Sequence, residues 1–432
     1  VGVAAPAPPY MLTALPGSGG LLSEFRVLDR RVFILAAARM VVTLGFAAVL
    51  PYLGVTLHRD RGVSATVVGI IWTAAGLSGA AMQWVAGEVA DRVGRRPVLL
   101  AAMLLRTANL VALGFEILHR GPIVAIAALC VLNGVLRAFF DPVASAMVAD
   151  LATGEHRIAA FSLQRIGVNI GWVLGTSTVG LAPLLHVDFG HLFYASAVVT
   201  LIAAVAASAI TETARDQASG GEGAQTSKPV RPPFRLSDVG AYRRDRAFMR
   251  FLAGTFFFFL LQAQLYATLS LYAADHLRFS LVQISHLYSL NGFMVVVLQL
   301  PAFYYIRRAG TRRVLLVGSL AYAASYALCG LASTELQVLA CVSAITIAEI
   351  ITAPAQQTAA TGMAPLGRVG AYAGLFGLAQ AAGQSLGPLV GTSLLDVLPD
   401  RLTWPLLALC GVVAARLYGR QPRPPASSVA SS

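Results

Sequence analysis

Long apolar stretches recur twelve times along this chain, and no other feature constrains its fold as strongly. They cover about 32–57, 64–86, 97–118, 122–149, 160–185, 190–210, 248–273, 280–305, 313–332, 335–357, 370–395 and 402–419. A helix that crosses a bilayer needs about 20 apolar residues. Lipid offers no hydrogen bonds to the backbone, so only helices and closed barrels can span it. Barrels alternate at period two in short segments, whereas these runs are long and continuous. The expected architecture is an all-α membrane protein with twelve transmembrane helices. Composition agrees: charged residues make up 12% of the 432, against roughly 25% in soluble domains. That balance excludes a soluble enzyme and a largely disordered chain.

Polar segments divide the apolar ones. Residues 1–31 read as an N-terminal cytoplasmic segment, partly disordered, with Met11 a candidate natural start and no secretory signal. Residues 211–247 carry Gly-Gly, Lys-Pro and Arg-Pro-Pro and read as a cytoplasmic linker. It separates a six-helix bundle at 32–210 from another at 248–419, and 420–432 reads as a disordered cytoplasmic tail. The net charge of +12 suggests nucleic acid until the charges are located. Of the 32 basic residues 31 are arginine, which points to a GC-rich bacterial genome. With both termini inside, cytoplasmic segments hold 23 basic residues and outer loops only Arg59, Arg61, Arg120, Arg278 and Arg401. This is the positive-inside asymmetry of a multi-pass protein of the bacterial cytoplasmic (inner) membrane. No nucleic-acid partner is needed to explain it. The four cysteines lie inside apolar runs without metal-ligand spacing and read as small core residues.

The two halves repeat. Arg92-Val-Gly94-Arg-Arg96-Pro-Val98-Leu99-Leu100 returns 216 residues later as Arg308-Ala-Gly310-Thr-Arg312-Arg-Val314-Leu315-Leu316. Both copies fall between the second and third segments of their half, which predicts two pseudo-symmetric six-helix bundles.

The first copy lies in Gly87-Glu-Val-Ala-Asp91-Arg92-Val-Gly94-Arg95-Arg96. It resembles the G-x-x-x-D-R-x-G-R-R signature of the major facilitator superfamily. The resemblance implies that fold, secondary transport by alternating access, and a cytoplasmic gate. In such a gate Asp91 faces the positive N-terminus of the eleventh helix and Arg95 pairs with an acid such as Asp150. The glycines allow a tight turn and close helix approach. Arg165, near the cytoplasmic end of the fifth segment, reads as part of the same gate.

Other stretches are similar to the drug–proton antiporters of that superfamily, the MdtH-like and LmrP-like multidrug exporters. They are Pro142 to Asp150, Arg157 to Trp172, Glu349 to Pro354 and Arg368 to Gly374. Thr176 stands where that group's fifth helix has proline, and Cys130 stands where its fourth helix has arginine; Arg137 can substitute for the latter.

Ionisable groups at membrane depth cost at least about 2.5 kcal/mol each at the bilayer centre and are functional candidates. Glu349 lies about 14 residues, or roughly 21 Å, into its segment, with no basic residue near it in sequence. Burial favours the neutral form of a carboxylic acid, so Glu349 is the leading proton carrier. Asp141 is a second carrier, though Arg137 one turn earlier can neutralise it. Arg39 can bind an anionic substrate group, pair with Asp141 or snorkel to the membrane surface. Arg106 is expected to snorkel or pair. Gln262, Tyr266, Asn291, Gln380 and Gln384 are candidate cavity residues, with Gln264, Tyr288 and Phe257 to Phe259 adding polar and aromatic surface.

No Walker-type loop, Gly-x-Ser-x-Gly elbow or His-Glu-x-x-His motif occurs. The expectation is therefore a non-enzyme without cofactor or metal, driven by the proton gradient. It would act as a monomer with the lipid bilayer, protons and a small amphiphilic substrate, a drug or natural product, as partners. A lipid flippase, a proton-coupled symporter of an anionic metabolite and a non-transporting membrane sensor are the alternatives.

Overall fold

The computed structural model describes residues 27–152, 156–182, 186–210, 245–365 and 368–420. The expected terminal segments and central linker lie almost wholly outside the described residues. Among those described, twelve helices and no strands form the fold. The first six are α1 (Arg30–Arg61), α2 (Ala65–Val93), α3 (Arg95–Leu118), α4 (Ile123–Leu151), α5 (His156–Leu181) and α6 (Phe189–Ser208). The second six are α7 (Arg246–Gln262, continued by Thr268–Asp275), α8 (Leu281–Ala309), α9 (Thr311–Cys329), α10 (Glu335–Gly362), α11 (Val369–Val397) and α12 (Asp400–Gly419). Counting α7 as one span, nine of them are long and apolar enough to cross a membrane. Of the others, α5 and α11 are rich in Gly, Ser, Thr and Gln. Both pack against helices of the two halves, where small and polar side chains are useful.

Contacts repeat six helices on. In the first half α1 packs on α5 and α6, α3 on α4 and α6, and α2 on α4. In the second half α7 packs on α11 and α12, α9 on α10 and α12, and α8 on α10. The seams between halves, α2 with α11 and α5 with α8, are also equivalent under this exchange.

The 216-residue repeat reaches backbone and side-chain geometry. Gly94 joins α2 to α3 at φ 112°, and Gly310 joins α8 to α9 at φ 80°, both conformations that favour glycine. Arg96 donates to the carbonyl of Ser208 at the end of α6, and Arg312 donates to that of Gly419 at the end of α12. Each thereby ties its turn to the last helix of its own half and satisfies a terminal carbonyl. Glycines 167, 171 and 175 on α5 have counterparts 383, 387 and 391 on α11 at the same spacing. A Cβ on Gly171 would lie 2.2 Å from the carbonyl oxygen of Met40 on α1. One on Gly387 would lie 2.7 Å from that of Leu260 on α7.

Three expectations are corrected. The second apolar segment does not end near residue 86: α2 continues to Val93, so Asp91 and Arg92 lie on its last turn rather than in a loop. Arg92 there pairs with Glu88, one turn back. The fifth segment begins earlier and ends earlier, at His156 and Leu181. The seventh is broken by a 3₁₀ turn at Ala263–Leu265. Neither proline nor glycine causes that break. Gln264 takes the Leu260 carbonyl with its side-chain amide at 2.6 Å and accepts from the Thr268 hydroxyl. Side-chain groups thus replace the local helical ladder.

Gly171→Leu tests the close approach of α5 to α1. Overpacking of this kind costs about 1–3 kcal/mol. The variant is expected to show a lower thermal midpoint in detergent than Ala206→Leu, at an exposed position on α6.

Candidate functional site

A cavity of about 330 Å³ lies between the halves, within the range of about 300–1,000 Å³ typical of small-molecule sites. Its wall comes from α1 (Phe46, Leu50, Pro51), α2 (Trp72), α4 (Arg137) and α5 (Trp172) on one side. The break in α7 (Gln262, Ala263, Tyr266, Ala267) and α11 (Gln384, Pro388) form the other. Gln262 and Tyr266, four residues apart on either side of the break, both reach the cavity, and the 3₁₀ turn brings Ala263 and Ala267 into the same wall.

Behind the second-half wall stands Glu349 on α10. Gln262 donates to its carboxylate at 2.6 Å, and Gln384 donates to Gln262 at 3.1 Å. A second chain runs beside it: Tyr266 donates to Asn291 at 2.8 Å, and Asn291 donates to Thr346, three residues before Glu349, at 2.9 Å. Five sequence candidates from four helices therefore form adjoining networks. Gln380 lies half-buried one turn from Gln384 on α11.

Behind the first-half wall stands Asp141 on α4. Arg137 donates to one carboxylate oxygen at 3.0 Å, and Arg39 on α1 approaches the other at 3.4 Å. Arg39 also donates to Ser145 at 3.0 Å. Of the roles open to Arg39, pairing with Asp141 is the one this conformation shows. Arg106 is 4% exposed, so it does not snorkel. Its guanidinium lies 5.6 Å from the centre of the Phe46 ring, and that of Arg137 lies 5.1 Å from the same ring.

Aromatic side chains complete the wall. Trp172 meets Tyr266 edge-on at 5.1 Å and Phe46 at 6.0 Å. Tyr288 is fully buried behind Tyr266, between it and Tyr52. Phe258 and Phe259 are buried in the bundle core, Phe258 stacked on Tyr322, and neither lines the cavity. Gln264 is fully buried against Gly387 and is structural. Phe46, Trp72 and Trp172 are wall residues that sequence reasoning missed. Their only signal was aromatic identity, which lipid-facing and core positions share. Thr176, where proline was expected, bonds back to the Trp172 carbonyl at 2.9 Å and faces Ser289 of α8 at 3.3 Å. Cys130 is buried in the core.

The cavity is closed at one end. His58 at the end of α1 pairs with Asp275 at the end of α7. Arg59 donates to the carbonyls of Phe279 and Ala274, and the Thr66 amide donates to Asp396 of α11 at 2.7 Å. At the opposite, arginine-rich end α2 and α11 part. Among the described residues, no atom of another element lies within 4 Å of a Cβ placed on Gly87, Gly374 or Gly377. The close approach expected of Gly87 is thus absent in this conformation. Mid-helix Arg137 and Gln384 are exposed to the opening.

At that open end Arg95 donates to the Ala146 carbonyl of α4, one turn before Asp150, at 2.9 Å. The side chains of Asp91 and Asp150 lie outside the described residues. Arg165 donates to Gln299 of α8 at 3.2 Å across the α5–α8 seam.

The Major Facilitator Superfamily model matches residues 35–388 and again 266–431. The chain belongs to this superfamily of membrane transporters. Among curated relatives, "Multidrug resistance protein MdtH" of Cronobacter sakazakii is 26% identical over 396 residues, covering 90% of this chain and 93% of that one. MdtH of Salmonella typhimurium is 26% identical, with coverages of 93% and 96%. Among solved structures, the nucleoside transporter NupG superposes with a TM-score of 0.71 at 14% identity, covering 90% of this chain and 98% of that one. A D-xylose-proton symporter gives 0.71 at 14% identity, with coverages of 90% and 97%. Both likenesses concern the superfamily fold.

The Arg137–Asp141 pair is half-open to solvent, so a coupling of about 1 kcal/mol is expected from it. Thermal melts of Asp141→Asn, Arg137→Gln and the double variant provide the cycle. Asp141→Asn should destabilise most, because it leaves Arg39 and Arg137 both uncompensated. Additive single effects would show that the pair contributes nothing.

Proposed function

We propose that this superfamily transporter is a proton-coupled antiporter that exports small amphiphilic compounds. The observation that carries the reading is the Gln384–Gln262–Glu349 chain, which links an acid at membrane depth to the wall of an aromatic cavity. The MdtH relatives, named for multidrug resistance, support efflux as its direction. The arginine-rich end is taken as cytoplasmic, with both termini inside and the bacterial inner membrane as the location. The cavity then opens to the cytoplasm, where cargo for export is collected.

In this cycle the cargo enters among Phe46, Trp72, Trp172 and Tyr266. The halves rock about the α2–α11 and α5–α8 seams, and the His58–Asp275 contact parts as the outer end opens. Asp91, Arg95 and Asp150 latch the cytoplasmic end in that state. A proton arriving from outside neutralises Glu349, changing what Gln262 must hydrogen-bond and resetting the wall. Asp141 is a second proton acceptor, screened by Arg137 and Arg39.

The excess of arginine around Asp141 favours one other reading, symport of an anionic metabolite. Gradient direction separates the two: antiport accumulates cargo on the acidic side, symport on the alkaline side.

Glu349→Gln keeps the shape and the Gln262 contact but cannot take up a proton. Flux in proteoliposomes under an imposed pH gradient should be abolished, while equilibrium binding of the same cargo persists. Wild-type gradient-driven flux in this variant would sink the proposal.

A further inference from the structure

The charges around the cavity do not balance. Arg39 and Arg137 both pair with one carboxylate, Asp141, and Arg106 lies over the same Phe46 ring as Arg137. Each side chain sits at membrane depth, where an uncompensated charge is costly. Asp141 already accepts from both Arg137 and Arg39, so it cannot offset all three. Arg106 is 4% exposed, and its Nε is buried with no hydrogen-bond partner among the described residues. The same is true of the Nε of Arg39. Arg137 lines the cavity with its side chain 56% exposed. Two positive charges thus remain beside the cavity in the first half. The second half offsets at most one of them through Glu349, and none once Glu349 is protonated.

We infer that the cargo carries an anionic group, a carboxylate, sulfonate or phosphate, which docks on Arg137 within the field of Arg39 and Arg106, with an aromatic body against Trp72 and Trp172. The inference deepens the transport reading above and rests on this cavity being its substrate site. Phe46 helps by holding the guanidinium planes of Arg106 and Arg137 over its ring. The free donors of Arg137 then face the opening, where a planar anion can be bound by two hydrogen bonds. A cationic amphiphile of the same shape would meet repulsion from all three arginines.

A matched pair of ligands provides the test. At pH 7, 2-naphthoate is an anion and 2-naphthylmethylamine a cation, with the same aromatic body. Each is titrated without any gradient into the full chain in zwitterionic lipid nanodiscs, following quenching of tryptophan fluorescence. The naphthoate is expected to bind about ten-fold more tightly or better, the effect of one charge-assisted contact. Arg137→Gln should remove that preference and Arg137→Lys should retain it. Equal or tighter binding of the amine to the wild type would overturn the inference, and this comparison needs no variant to fold. So would a preference that survives Arg137→Gln. Repeating the titration in discs containing phosphatidylglycerol separates free anions from lipid headgroups. Unchanged naphthoate affinity is expected, and displacement by the anionic lipid would overturn the small-molecule assignment. Because no gradient is present, loss of the naphthoate preference is distinguishable from failure of Glu349→Gln to abolish proton-driven flux.

Discussion

A charge placed inside a bilayer must be answered from within the protein, and the site is arranged around that constraint. The two acids at membrane depth are both held by a polar residue of the cavity wall. Arg137 screens Asp141 in the first half, and Gln262 screens Glu349 in the second. The partners differ in kind. Asp141 sits against guanidinium groups that stabilise its anion, whereas Glu349 is held by neutral amides that can bond to either protonation state. Two carboxylates behind one cavity wall are thereby given different surroundings: Asp141 organises positive charge, whereas Glu349 meets only neutral side chains in its hydrogen bonds.

Moving such a site between two membrane faces requires halves that are rigid within themselves and loosely fastened to each other. The glycine ladders of α5 and α11 supply the rigidity, since backbone meets backbone at Gly171 and Gly387 with no room for a side chain. Between the halves small residues pack along the seams, where a Cβ on Gly69 of α2 would lie 2.9 Å from the Leu389 Cα of α11, and the closed end adds polar contacts: His58 with Asp275, Arg59 with two carbonyls, Thr66 with Asp396. Polar contacts of this sort can be exchanged for water at modest cost. Buried apolar packing is costlier to give up.

Much of this was legible beforehand. Helix number and the repeat about Gly94 and Gly310 followed from hydropathy and spacing. Glu349, Gln262, Tyr266, Asn291 and Gln384 stood out because a polar group in an apolar run needs a partner. Other features were hidden for identifiable reasons. Phe258 and Phe259 look like Phe46 and Trp172 in sequence, yet only the latter pair reaches the cavity, because helix rotation depends on packing. The break in α7 has no proline or glycine to announce it. It arises from Gln264 bonding to its own helix and to the carbonyl of Gly387 on α11.

The chain alone determined the number of helices, the two-fold repeat and the identity of the groups that cannot lie in lipid unanswered. Those properties depend on local hydropathy and on the cost of burying charge, which act residue by residue. Tertiary structure decided which groups answer one another: Arg39 with Asp141, Gln262 with Glu349, Arg165 with Gln299. It also decided which end of the cavity is closed, and that two arginines share one carboxylate while Arg106 stays buried beside them. Partners 87 to 134 residues apart in sequence meet only after helices have chosen their rotation and tilt. Those choices are made by packing between helices, which no single segment contains.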